Sequence, residues 1–286
     1  MRRLLGTGGG SLRAISILVA VAATSPCFAQ DVKFNFKSVD EQVATRFKKQ
    51  FLARKEMLEK HLVSTNFIPL FTGNIDVEVS SGQPFSEALL FAWEGRRGHM
   101  YFPVDRAKDG KAAILHELAH VHAPNQVRFL AEGYSAYLEE KMGNIKAFPT
   151  RGLHSECSIA ALDERKSALR AVSLVRFDGL STEKTETGAF LGDHMGLEEA
   201  FLPKSAFMDN QRRNYAYVVS ASFVKFLIER HGEDKFKALY QQTPLTPHVA
   251  TRADPVRYQQ TFSGKLLTEL QSDWLRWLTD KQKSCD

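Results

Sequence analysis

The chain has 286 residues, 43 % of them hydrophobic and 25 % charged, with a net charge of +5. Three of the positive charges, Arg2, Arg3 and Arg13, fall in the first 29 residues, so the 257 that follow (286 − 29) carry 5 − 3 = +2. A balance so near neutral, without a dense basic run, argues against a nucleic-acid partner, and the length supports a sizeable core.

The arginines of residues 1–29 precede an apolar run from Ala14 to Ala23 and small residues ending at Ala29. That is the layout of a secretory signal peptide, cleaved near Ala29. The apolar run is well short of the roughly 20 residues that cross a bilayer. The expectation is a mature protein without a stable membrane anchor, periplasmic or secreted. Of the three cysteines, Cys27 leaves with the leader, and Cys157 and Cys285 remain. In an oxidising compartment two cysteines pair more often than not, which would pin the C-terminus to the start of the second half; two buried thiols are the alternative.

Val43, Phe47, Phe51, Leu58 and Leu62 stand at helical spacing among Lys and Arg, predicting an amphipathic helix from Val43 to Val63. Ile75 to Val79 alternates as a strand. Leu89 to Trp93 and His99 to Pro103 read as two further strands around Glu94–Gly98, hence a hairpin. Asp109 is the expected N-cap of a helix running to about His122, which Ala123-Pro124-Asn125 breaks. A second helix is expected from about Gln126 to Lys141, and a third from Cys157 to Val175. Asp178 to Gly196 reads as a polar, glycine-punctuated loop. Tyr215 to Arg230, stopped by His231-Gly232, and Gly264 to Lys281 complete the helices. The class is therefore α+β: a small N-terminal sheet, then a mainly helical half. The divisions expected are a leader (1–29), an α+β subdomain (30–145) and a helical subdomain (146–286).

The chemistry concentrates in HELAHVH, residues 116–122. On a helix, positions i and i+4 share a face, so His116 and His120 can aim both imidazoles at one point. Zinc takes such nitrogens at about 2.0–2.1 Å, and a catalytic site keeps one position open for water. Glu117 is placed to reach that water, so His-Glu-x-x-His supplies two ligands and a general base from one turn. The flanking Ile114, Leu115, Leu118, Ala119 and Val121 make the segment apolar, where such polar groups are costly unless bonded or metallated.

A third ligand comes from the next helix. If the two helices form a tight antiparallel hairpin, Glu132 lies level with the histidine pair, because each residue advances about 1.5 Å. Glu139 and Glu140 overshoot as ligands, although Glu139 shares the face of Glu132 and suits a supporting role. Gly133 is expected to let these two helices approach closely. His122 points away from His120, so a structural or surface role is expected for it. Asp193-His194 is the one other pair able to enter a cleft; His99, His154 and His248 stand alone in polar stretches.

HELAH followed by FLAEGYSAYLEE resembles the gluzincin signature, a HExxH helix followed by a helix beginning Trp/Phe-Leu-x-Glu-Gly-x-x-x-Tyr. YVVSASFVKFLIERHG, with Tyr217, Phe223, Leu227 and Gly232, is similar to the C-terminal helix of thermolysin-like "peptidase MA" bacterial metallopeptidases. The likeness spans Phe91 to Gly232 with gaps and is specific at 116–140. Eleven residues separate His120 from Glu132, fewer than in the thermolysin pattern. The resemblance implies a zincin-like fold and one Zn2+ ion held by His116, His120 and Glu132, with Glu117 as general base. It also implies an edge strand beside the metal that pairs with an extended peptide or protein substrate, for which the candidates are His99–Pro103 or its hairpin partner. The oxyanion donor implied is Tyr217, followed by Tyr215 and Arg213. An exported zinc metallopeptidase is the leading reading. The alternatives are a zincin-fold protein that binds a peptide or partner without cutting it, and a helical scaffold whose motif is coincidental.

Overall fold

The computed structural model describes residues 31–67, 73–91, 97–125, 127–143, 155–163, 210–241 and 255–285. The expected leader, the polar 178–196 loop and the later part of the third helix lie outside these residues.

The first element is one the sequence reading passed over. Val32, Phe34 and Phe36 alternate with Lys33, Asn35 and Lys37, and the period of two makes β1 (Val32–Lys37). Helix α1 (Glu41–Ser64) follows, its first amides held by the Asp40 carboxylate, which accepts from Gln42 and Val43. Phe47, Phe51, Lys55, Leu58 and Leu62 form its buried stripe, and the two phenylalanines pack against Phe34, Phe36 and Phe102. The chain then returns to the sheet as β2 (Ile75–Ser80), parallel to β1.

The hairpin expected after β2 is present as β3 (Glu87–Phe91) and β4 (Arg97–Pro103), paired antiparallel. β4 also pairs parallel with β2, so the sheet is mixed and runs β1-β2-β4-β3. The His99–Pro103 segment is thus interior, flanked on both sides. Its hairpin partner, β3, is the outer strand, and it lies against the helix that carries the histidines. One face of the sheet, through Val77, Val79, Met100 and Phe102, is core; the other shows Lys33, Asn35, Asp76, Glu78, His99 and Tyr101.

A short helix, α2 (Val104–Lys108), departs from expectation. Asp109 terminates this helix, its amide bonded to the Asp105 carbonyl, and Gly110 at φ 68° turns the chain. Asp109 is therefore not the N-cap of the histidine helix, which begins four residues later than that reading requires: α3 is Ile114–His122, with Ala113 at the cap position. Then come α4 (Arg128–Met142), α5 (Ser155–Asp163), α6 (Asn210–His231), α7 (Glu233–Gln241), α8 (Pro255–Thr261) and α9 (Leu267–Gln282). Gly232 at φ 91° ends α6 where the His-Gly signal placed the stop. The observed class is α+β, a small mixed sheet with mostly helical content. One hydrophobic cluster runs from Phe47 and Phe102 through Leu118 and Tyr134 to Phe223, Trp274 and Leu278.

Helix α6 is the hub of the helical layer, touching α4, α5, α7 and α9. Trp274 of α9 donates its indole N–H to Ser222 of α6 at 3.1 Å and stacks edge-on against Phe223. Cys157 of α5 and Cys285, just past α9, form a disulfide across 128 residues of chain. Among the described residues, no helix is long and apolar enough to cross a membrane. Closing so long a loop restricts the unfolded chain, so replacing both cysteines by alanine is expected to lower the unfolding free energy by about 2–4 kcal/mol. Denaturant titration reads this, and a double variant as stable as the parent contradicts it.

Candidate metal centre

Helices α3 and α4 form the hairpin on which the site is built. Ile114, Leu115, Leu118, Ala119 and Val121 bury α3 from several sides, so its polar residues are carried inward with it. The turn between the helices is clamped by α7. The Asn125 side-chain amide donates to the Tyr240 carbonyl at 2.7 Å, and its oxygen accepts from the Val127 amide at 2.8 Å. The Tyr240 hydroxyl donates to the Ala123 carbonyl at 2.6 Å, and burial raises its pKa, keeping it a donor.

In this hairpin three ligand-type atoms converge. Nε2 of His116 and Nε2 of His120 are 3.2 Å apart, and Oε2 of Glu132 lies 3.2 Å from the first and 3.0 Å from the second. His116 and Glu132 are 2 % exposed, and His120 is half-buried. Burial pushes the pKa of His116 down, against the pull of Glu132, which keeps the imidazole neutral with a lone pair to share. A buried carboxylate such as Glu132 is costly to keep charged without a compensating cation.

The triangle can be tested against an ion. Four ligands at about 2.0–2.1 Å in a tetrahedron have edges of about 3.3–3.4 Å. The observed edges of 3.0 to 3.2 Å fall a few tenths of an ångström short of one face of that tetrahedron. Two imidazole nitrogens and one carboxylate oxygen are also the donor set zinc accepts in catalytic sites. The residues fit the group. Among the described residues these three are the one set of His, Cys, Asp or Glu side chains close enough to hold a metal ion.

The chain matches no family model, no curated protein and no solved structure.

The neighbours of the triangle divide by role. Glu117 is 4 % exposed, lies in the same helical turn and is not one of the three converging groups. Tyr217 of α6 brings its half-buried ring to 6.0 Å from the His116 ring, centroid to centroid. Tyr215 and Arg213 lie in the first two turns of α6. Ser135, which sequence reasoning did not single out, places its hydroxyl 3.4 Å from Nδ1 of His120. That contact orients the ring and is compatible with the tautomer that carries its proton on Nδ1 and a lone pair on Nε2. The signal for it was present, since Ser135 follows Glu132 by three positions on the same helix face.

Glu139 is not a ligand: its carboxylate accepts the backbone N–H of His116 at 2.7 Å. Glu140, one residue on, accepts from the amide and hydroxyl of Ser155 and faces Lys225, which also pairs with Glu156 at 3.1 Å. His122 is buried with Lys55 as a charged neighbour, and burial drives its pKa to about 3; it is a neutral packing residue, not a surface one. His99 pairs with Asp76 on the open sheet face, Nε2 to Oδ2 3.7 Å. His154, His248 and the Asp193-His194 pair lie outside the described residues.

Gly133 does not serve the α3–α4 contact expected for it. A Cβ there would stand 2.6 Å from the Ser220 carbonyl oxygen and 2.8 Å from Val224 Cγ2, both on α6, so the missing side chain admits α6, which carries Tyr217. Gly133→Ala is expected to force α4 and α6 apart and destabilise the fold by about 1–3 kcal/mol, as overpacking does. Calorimetry on the variant reads it, and an unchanged melting temperature rules the close approach out as a constraint.

Proposed function

We propose that the protein is an exported, zinc-dependent metallopeptidase of the gluzincin type. The single observation that carries the reading is the mutual approach of His116 Nε2, His120 Nε2 and Glu132 Oε2 to within 3.0 to 3.2 Å. The HELAH and FLAEGYSAYLEE motifs, the Tyr217 ring beside His116, and an outer antiparallel strand against α3 support it. On this reading the fold is zincin-like, residues 1–29 are a signal peptide, and the mature chain works in the periplasm or outside the cell.

His116, His120 and Glu132 hold the ion, and Ser135 orients the second imidazole. A zinc ion held there supplies Lewis acidity toward a carbonyl and a water acidic enough to ionise near neutral pH. Glu117 takes the proton of the attacking water and returns it to the departing amine, so one carboxylate serves both proton transfers. The Tyr217 hydroxyl donates to the carbonyl oxygen as negative charge develops on it. β3, whose outer edge is unpaired among the described strands, takes the extended substrate backbone as an added strand. Its hairpin partner, His99–Pro103, has both edges used and cannot.

Glu117→Gln removes the base but not a ligand. It is expected to abolish peptide hydrolysis, a loss of at least about 100-fold, while stoichiometric zinc remains by elemental analysis; full activity refutes the base. His116→Ala is expected to lose the zinc, and unchanged metal content refutes the ligand set.

Burial of His116, Glu117 and Glu132 at 2–4 % exposed gives a second reading its footing, a zincin-fold protein that binds a peptide or partner and does not cleave it. A fluorogenic peptide library assayed with and without chelator separates the two. Cleavage that the chelator stops favours the peptidase. Stoichiometric zinc with no cleavage of any member favours the binder.

A further inference from the structure

We propose that Glu139 is a positioning residue for the metal site, acting as the N-terminal cap of α3 from the neighbouring helix and so fixing His116 against Glu132. The proposal rests on the metal reading above and adds to it the group that sets its geometry.

The argument begins with what α3 lacks. A helix leaves its first four amides without partners inside the helix, and a side chain at the cap position normally takes one or two of them. The cap position here is Ala113, which offers no side chain for the purpose. The Ile114 amide reaches the Ala112 carbonyl at 2.8 Å and the Glu117 amide reaches the Ala113 carbonyl at 3.1 Å. Leu115 and His116 remain. The Glu139 carboxylate accepts from His116 at 2.7 Å. A carboxylate at this end also meets the positive pole of the helix.

Two further features show that the carboxylate is built into the place. Glu139 is 2 % exposed, and a Cβ on Gly143 would stand 2.6 Å from its Oε1, so the absence of a side chain at 143 leaves the carboxylate its room. Arg54 of α1 donates to the Met142 carbonyl at 2.6 Å and adds a favourable charge toward the same carboxylate. Glu132 and Glu139, seven residues apart on one face of α4, therefore grip one residue twice: Glu132 at the His116 imidazole, Glu139 at its backbone. A ligand helix held at both points cannot slide or rotate along α4 without breaking one of them.

Glu140 supplies the control. It is adjacent and also accepts a backbone amide, but that of Ser155 at the start of α5, which carries no ligand. Glu139→Ala, Glu139→Gln and Glu140→Ala are compared with the parent in two measurements. The first is the zinc dissociation constant by competition with a chelating dye. The second is amide hydrogen exchange at His116 in the metal-free proteins.

The expected result is a 10- to 100-fold weaker zinc affinity in Glu139→Ala, as for other groups that orient ligands. Glu139→Gln, which keeps an oxygen for the amides, recovers most of it, and Glu140→Ala binds zinc like the parent. Exchange at His116 accelerates in Glu139→Ala alone. Parent-like affinity in Glu139→Ala, equal losses in Glu139→Ala and Glu140→Ala, or unchanged exchange overturns the proposal. A parent protein that binds no zinc overturns the metal reading and with it the positioning role, while the exchange data still judge the cap.

Discussion

The structure depends on one constraint: a helix with three buried or nearly buried carboxylates must find a partner for each. On α4, Glu132, Glu139 and Glu140 enter the interior, where an unpaired carboxylate costs several kcal/mol. Each finds a different solution. Glu132 meets two imidazoles, Glu139 meets the His116 amide in the first turn of α3, and Glu140 meets the first amide of α5 together with Lys225. The positions of α3 and α5 relative to α4 follow from these acceptors as much as from apolar packing. The bare Gly133 does the rest, since it lets α6 close on the same helix.

The sheet contributes to the site through its order. Placing β3 last, antiparallel on β4, sets a strand with an unpaired edge directly against α3. The parallel strands β1 and β2 are tied together by α1, whose buried phenylalanines fill the space between sheet and helices. α1 and the outer strand β3 both pack against α3. The open sheet face, with Asp76 paired to His99 and Glu78 to Lys37, is satisfied within itself.

Much of this was legible in the sequence where the signal was local. The i, i+4 histidines, the break at Ala123-Pro124-Asn125 and the rise per residue were enough to bring Glu132 level with His116 and His120. The Cys157–Cys285 pairing, expected if residues 1–29 direct the chain to an oxidising compartment, is formed. What escaped was set by tertiary contacts. Asp109 has the chemistry of an N-cap, but Gly110 takes a left-handed turn and Asp109 closes α2. The cap of α3 comes instead from Glu139, 23 residues beyond His116, a distance no local rule spans. Gly133 was assigned to the wrong neighbour because sequence shows that a small residue is wanted, not which helix wants it. β1 was overlooked though its alternation is regular, being six residues long and without a turn signal before it.

Proton counting supports the proposed metal over a hydrogen-bonded trio. If His120 gives its Nδ1 proton to Ser135, its Nε2 is a lone pair, 3.0 Å from a carboxylate oxygen that is also an acceptor. Two acceptors at that distance repel unless something positive lies between them. A proton on His116 Nε2 can serve only one of its two neighbours well, each 3.2 Å away, and burial already disfavours a second proton on that ring. Any arrangement of protons therefore leaves at least one edge of the triangle poorly bridged. A divalent cation, as proposed, would serve all three edges at once and offset the buried charge.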